Sequence, residues 1–147
     1  MEIVEFLKQN LDYIIIGILL FMSFVALFVS VERAIFYSFV DVGKFDSEKE
    51  LEIVLTKNLT FLYVIYQNAP YIGLLGTVGG IMITFYDIAS SGNLDQNSVM
   101  MGLSLALKAT AFGLALAIPS LVIYNLCGRK VDVLMAKFEA KNKEILH

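Results

Sequence analysis

From Tyr13 to Val31 the chain carries no charged residue, and that run constrains the fold more than any other feature. Crossing about 30 Å of hydrocarbon takes about 20 apolar residues in a helix, because an open strand or loop leaves its backbone groups unpaired in lipid. Two further windows meet the requirement. The stretch from Asn58 to Tyr86 is uncharged, with the bilayer part placed at about Ala69 to Tyr86 and closed by Asp87. The third runs from about Leu105 to Leu126 and is followed at once by Arg129 and Lys130. The expected fold is therefore an all-α membrane protein with three transmembrane helices, at about 13–31, 69–86 and 105–126. The 58% hydrophobic content and mean hydropathy of +0.74 agree, since soluble domains hold about 45–50% apolar residues.

Lys and Arg near the span ends set the orientation. Arg33, Lys44, Lys49 and Lys57 lie between spans one and two, and Arg129, Lys130, Lys137, Lys141 and Lys143 follow span three. Opposite them stand only Lys8 and Lys108. The N-terminus is expected outside, in the periplasm, and the C-terminus in the cytoplasm. The segment from Met1 to Asp12, with Glu2, Glu5, Lys8 and Asp12, lacks the basic start of a cleavable signal, so span one reads as an uncleaved anchor.

Other classes fall away on composition. A net charge of −3 and the absence of basic clusters beyond the C-terminal tail argue against nucleic acid as a partner. One cysteine, Cys127, and one histidine, His147, provide neither a disulfide nor a metal cluster, so no metal or cofactor is expected. Gly76, Gly79 and Gly80 lack the Lys–Ser/Thr ending of a phosphate loop, and no nucleophile, base and orienting group can be assembled, so the chain does not read as an enzyme.

The organisation is a single membrane domain over 1–147, with a cytoplasmic helical loop at about 32–68, a periplasmic loop at about 87–104 and a cytoplasmic helical tail at about 127–147. Ser47 with Glu50 three residues on is a capping-box pattern, and Glu48, Glu50 and Glu52 suit the positive end of a helix dipole. From there Leu51, Val54, Leu55, Asn58, Leu62 and Ile65 repeat at helical spacing and lead into span two, with a bend expected near Pro70. Beyond span three, Val131, Leu134, Met135 and Phe138 keep the period, and Glu139 can pair with Lys143, so that helix should project into the cytoplasm. Ile88 to about Val99, with Ser90, Ser91, Gly92, Asn93 and Asn97, reads as irregular.

Within the spans, small and hydroxyl residues fall on defined faces. Gly73, Thr77, Gly80 and Thr84 share one side of span two, and Gly76 with Gly80 forms a GxxxG pair. Ala106, Thr110, Gly113, Ala117 and Tyr124 form a stripe on span three with Ser120 beside it, while Leu107, Leu114, Ile118 and Leu121 point elsewhere. Small residues let helices approach where lipid gives no hydrophobic drive, so the glycines read first as packing positions. For Thr77 and Thr110, packing and the lining of a water-filled interior both remain open. Pro119 should bend span three and reads mainly as shape. No Asp or Glu lies inside any span, although proton movement through a membrane normally uses an ionisable group there. Lys108 is read as snorkelling to the outer interface, with pairing to a partner's carboxylate as the alternative.

The run APYIGLLGTVGGIMITF, Ala69 to Phe85, together with ALKATAFGLALAIPSLVIYN, Ala106 to Asn125, resembles the two inner helices of the ExbB, TolQ and MotA superfamily, and is most similar to ExbB and TolQ. The three-span plan and the Glu32–Arg33 pair at the inner end of span one fit as well. The resemblance implies a homopentamer whose second and third helices line a central pore, with span one facing lipid. It also implies an ExbD-like or TolR-like transmembrane partner in that pore, whose aspartate carries the proton. Thr77 and Thr110 match the family threonines associated with the ion pathway, and Glu32, Arg33, Tyr124 and Asn125 are placed at the cytoplasmic interface. One departure is Leu105, where many relatives carry a glutamate; here Lys108 stands one turn further on.

The function this implies is an ExbB-like subunit of a proton-motive-force-driven motor in the inner membrane of a Gram-negative bacterium, energising TonB-dependent transport across the outer membrane. A TolQ-like role with TolA in the Tol-Pal envelope system is the nearest alternative. A self-contained ion channel and a non-conducting scaffold are alternatives of another class. The short cytoplasmic loop argues against a MotA role.

Overall fold

The computed structural model describes residues 2–92 and 95–147. Within them the chain forms α1 (Glu2–Phe39), a single 3-10 turn (Val42–Lys44), α2 (Glu48–Thr56), α3 (Leu59–Ser91) and α4 (Gln96–Ile145). There is no strand among the described residues. Three helices, α1, α3 and α4, are long and apolar enough to cross a membrane, as the uncharged runs predict.

The cap of α2 forms where the sequence places it: Ser47 is the N-cap, and its hydroxyl accepts a hydrogen bond from the Glu50 amide at 3.1 Å. The helix does not run on into span two. It stops at Thr56, and Asn58 adopts a left-handed conformation with φ of 67° before α3 begins at Leu59. Asparagine tolerates that region better than most residues, so the break falls on the side chain best suited to it. The apolar period survives the break, because Leu51 and Leu55 on one side and Leu59, Leu62 and Ile65 on the other are all buried.

At the opposite end, the segment expected to be irregular is mostly helical. Helix α3 continues through Ile88 to Ser91 and ends on Gly92, whose φ of 64° suits a helix C-terminus and whose N–H reaches the Ile88 carbonyl. Helix α4 starts at Gln96, with Asp95 as N-cap accepting from the Ser98 amide at 3.2 Å and the Ser98 hydroxyl at 2.6 Å. Of the residues expected to be irregular, Asn93 lies outside the described residues. Ser, Gly and Asn here mark helix ends rather than a long loop.

Both α3 and α4 pass through their prolines, Pro70 and Pro119, as uninterrupted helices. Glu139 and Lys143 do not form an ion pair. The two helices pack as an antiparallel hairpin with the most extensive interface in the molecule, and α1 lies against both of them. Two apolar cores result. One, in the span region, joins Ile15 and Leu19 of α1 to Ala69, Ala109 and Ala117. The other joins the C-terminal end of α1 to α2, the start of α3 and the far half of α4 through Leu51, Leu55, Leu62, Cys127, Leu134 and Phe138. The outer surface of α1 is apolar and exposed, with Phe21, Phe24 and Leu27 each about two-thirds accessible, which suits a helix solvated by lipid.

Candidate functional site

The α3–α4 seam is built from residues too small to keep the backbones apart. A methyl group on Gly73 would stand 2.6 Å from the Ala109 carbonyl oxygen, and one on Gly113 would stand 2.5 Å from that of Ala69. Each glycine thus faces the other helix's backbone, reciprocally, four and three residues from a threonine. Gly80 meets Ala106 in the same way, at 2.7 Å from its Cβ. Such close approach lets van der Waals contact and interhelical hydrogen bonds hold helices together in lipid.

Within this seam the two threonines meet. The Thr77 and Thr110 hydroxyls lie 2.5 Å apart, and Thr77 Oγ1 is also within reach of the Ala106 carbonyl at 3.0 Å and the Gly73 carbonyl at 3.3 Å. Thr77 is buried and Thr110 half-buried. A threonine hydroxyl has one proton to donate, so Thr77 cannot satisfy both carbonyls and Thr110 at once, and the group can exchange donors by rotating hydroxyls. Thr84, one and two turns further along α3 from Gly80 and Thr77, bonds the Gly80 carbonyl of its own helix at 2.9 Å and packs on Gly102.

The pair sits on a particular side of the hairpin. At about 100° per residue, the α1 side of α3 is marked by Gly76 and Gly79, which meet Ile15 and Leu11. The α1 side of α4 is marked by Phe112, Leu116 and Ile123, which line a groove against α1. Thr77 and Thr110 both lie toward the other flank, together with the exposed Leu74, Leu107 and Leu114. Ala106, Gly113 and Ala117 are buried in the seam, as the stripe predicts. Ser120, read as part of the same site, is instead on the α1 side and bonds the Leu116 carbonyl at 2.8 Å. Lys108 is exposed, away from the threonines, with its ammonium 5.9 Å from the Phe112 ring centre.

Below the span a second polar centre gathers around Arg33, which is 2% exposed. Its guanidinium donates to both Glu32 carboxylate oxygens, at 2.6 and 2.5 Å, and to the Val54 and Leu55 carbonyls at 2.9 and 3.4 Å. The Tyr37 hydroxyl adds a bond to the Leu55 carbonyl at 2.7 Å. These carbonyls belong to the last turn of α2, where no intrahelical donor exists and a cation is favoured by the helix dipole. Arg33 therefore fastens the end of α1 to the end of α2. Asn58 reaches Glu32 at 3.5 Å. The Arg33 hydrogen bonds hold the Glu32 carboxyl below its ordinary value, and burial pushes Tyr37 up to about 12.

Tyr124 packs with Tyr63 and Tyr66, ring centres 5.8 and 5.3 Å away, while Asn125 is exposed beside it. Tyr63 and Tyr66 did not stand out in the sequence, although their spacing of three on one helix is the signal that places two rings on one face. Lys8 forms an ion pair with Asp87, tying the N-terminal end of α1 to the C-terminal end of α3, also unforeseen.

Three helices able to cross a membrane, two of them joined by a glycine-lined seam that holds a pair of hydroxyls, define a multi-pass membrane protein. The chain belongs to the MotA/TolQ/ExbB proton channel family, whose model matches residues 44–140. It is 56% identical over 132 residues to the biopolymer transport protein ExbB of Helicobacter pylori strain J99, covering 90% of this chain and 91% of that one. It is 49% identical to the ExbB of Aquifex aeolicus over 95% of both chains. Similarity to the Tol-Pal system protein TolQ of Pseudomonas aeruginosa is lower, 37% over 57% of this chain and 36% of that one.

Proposed function

We propose that this chain is the ExbB-like subunit of a proton-driven motor in a bacterial inner membrane, working with an ExbD-like partner to energise TonB-dependent transport across the outer membrane. Five copies surround an axis, with the flank of the α3–α4 hairpin opposite α1 turned inward and α1 turned to lipid. The N-terminus lies in the periplasm and the C-terminus in the cytoplasm, following the distribution of Lys and Arg.

The observation that carries this reading is the hydroxyl group pair Thr77 and Thr110, joined at 2.5 Å on the flank away from α1, in a chain with no carboxylate inside its spans. Such hydroxyls can pass a proton or orient a water, but cannot store a charge. The titratable acid therefore comes from the partner helix in the pore. Each proton crossing supplies about 2.3 kcal/mol per 100 mV, which drives motion of partner against pentamer. An ExbB role is favoured over a TolQ role by the higher identity and near-complete coverage of the ExbB relatives.

The test is complementation of energy-dependent uptake of an iron complex, with the ExbD-like partner co-expressed. Thr77→Val and Thr110→Val keep side-chain shape and remove the hydroxyls, so uptake should fall while the complex still copurifies. Unchanged uptake would favour a scaffold, and a robust proton current from the purified chain alone in proteoliposomes would favour a self-contained channel. Copurification of TolA rather than TonB would reassign the system.

A further inference from the structure

Over the middle of their lengths α1 and α4 stand apart, leaving a groove of about 410 Å³. Its α1 wall extends from Ile16 to Ser30, a rise of about 21 Å in a helix. Half the hydrocarbon core is about 15 Å, so the groove is long enough to hold one acyl chain from headgroup level to the midplane. The lining is mostly apolar, and of its three serines, Ser23, Ser30 and Ser120, the last two donate to the Ala26 and Leu116 carbonyls of their own helices. A slender apolar occupant fits the length and the lining.

The mouth of the groove is charged. Lys108 stands one turn outward from Phe112, a groove residue, and its ammonium leans over that ring at 5.9 Å rather than pairing with any carboxylate among the described residues. At the edge of the hydrocarbon such an ammonium reaches headgroup level, where lipid phosphates are the anions at hand. Asp12 stands one turn outward from Ile16, at 100° per residue on the same side of α1, exposed and without an ion pair. The two walls thus bring one cation and one anion to the same end.

We propose that this groove holds an acyl chain of a zwitterionic amine phospholipid, its phosphate bound by Lys108 and its ammonium by Asp12. The site lies on the opposite flank of α4 from the threonine pair, so its test is independent of the motor reading. The full chain is reconstituted in nanodiscs of mixed phosphatidylethanolamine and phosphatidylglycerol, with a photoreactive group in the acyl chain of one or the other, and labelled peptides are mapped by mass spectrometry. With phosphatidylethanolamine, label should concentrate on 16–30 and 112–123. Lys108→Gln should reduce it about fivefold, the factor matching about 1 kcal/mol for a lysine at a lipid surface. Ala115→Phe, which fills the groove, should reduce it through shape alone, with helicity and monodispersity unchanged. Label spread evenly over the exposed faces, or unaltered by Lys108→Gln, would overturn the site. Equal capture of phosphatidylglycerol would overturn the headgroup assignment, and efficient cross-linking of Ser23→Cys between copies would overturn a lipid occupant.

Discussion

The two halves of the α3–α4 hairpin are held by opposite means. In the span region contact is made by the smallest residues, with Gly73 and Gly113 against bare carbonyls and alanines filling the rest. Below it, Leu51, Leu55, Leu62, Leu134 and Phe138 are packed side chain to side chain around a buried arginine. The difference follows from solvent. Large apolar groups are driven together where water is the solvent, whereas lipid offers no such drive and helices within it gain from close backbone approach. One region is bound by bulk and the other by its absence.

That contrast breaks most visibly at Arg33. Replacing it with Met leaves the Val54 carbonyl without its side-chain donor and leaves only Tyr37 on the Leu55 carbonyl and Asn58 on the half-buried Glu32, and the lost charged hydrogen bonds together with one orphaned carbonyl should cost about 3–4 kcal/mol. Thermal unfolding in detergent should show the loss, with proteolysis opening near Lys57 and Asn58; an unchanged melting temperature would mean that α2 is held by apolar contact alone. The acid side adds a sign. Because the Glu32 carboxyl is lowered in the folded chain, its contribution is present above the ordinary glutamate range and is lost as pH falls through the folded value. Glu32→Gln should flatten that acid limb.

Next in size is Leu62→Ala, a fully buried side chain in the lower half, expected to cost about 3 kcal/mol through lost burial and a cavity. Gly73→Ala tests the upper half in the reverse direction: adding one methyl against the Ala109 carbonyl should cost about 2 kcal/mol. Gly17→Ala, with nothing within 4 Å of the new methyl, is the control and should change stability little. Equal effects at Gly73 and Gly17 would erase the distinction between the halves. A stability change of only about 0.6 kcal/mol is expected at Thr77→Val, combined with the largest loss of uptake. That separation of stability from function is what distinguishes a working hydroxyl from a packing one.

What the sequence made legible follows from periodicity within one helix. The spans, the Ser47 cap, the buried stripe from Leu51 to Ile65 and the small face of α4 all repeat at short range. Partners between helices do not. The spacing puts Thr77 and Thr110 each on a face, but nothing in it fixes the register that brings their oxygens together, and Ser120 turns out to serve the α1 side. Arg33 meets carbonyls 21 and 22 residues away, a contact without local trace. The break at Asn58 and the caps at Gly92 and Asp95 were readable in principle, since Asn, Gly and Asp are the residues helix ends favour. Their polarity pointed to loops, and the hydrophobic pattern running past Asn58 hid the interruption.

Helix α4 is a single piece from Gln96 to Ile145. At 1.5 Å per residue, Ile145 lies about 52 Å along the axis from Thr110, so a tilt of about 5° pivoting there sweeps the far tip sideways by about 5 Å. A subtle readjustment beside the hydroxyls is thereby magnified into a displacement large enough for another molecule to feel, with no joint required along the way.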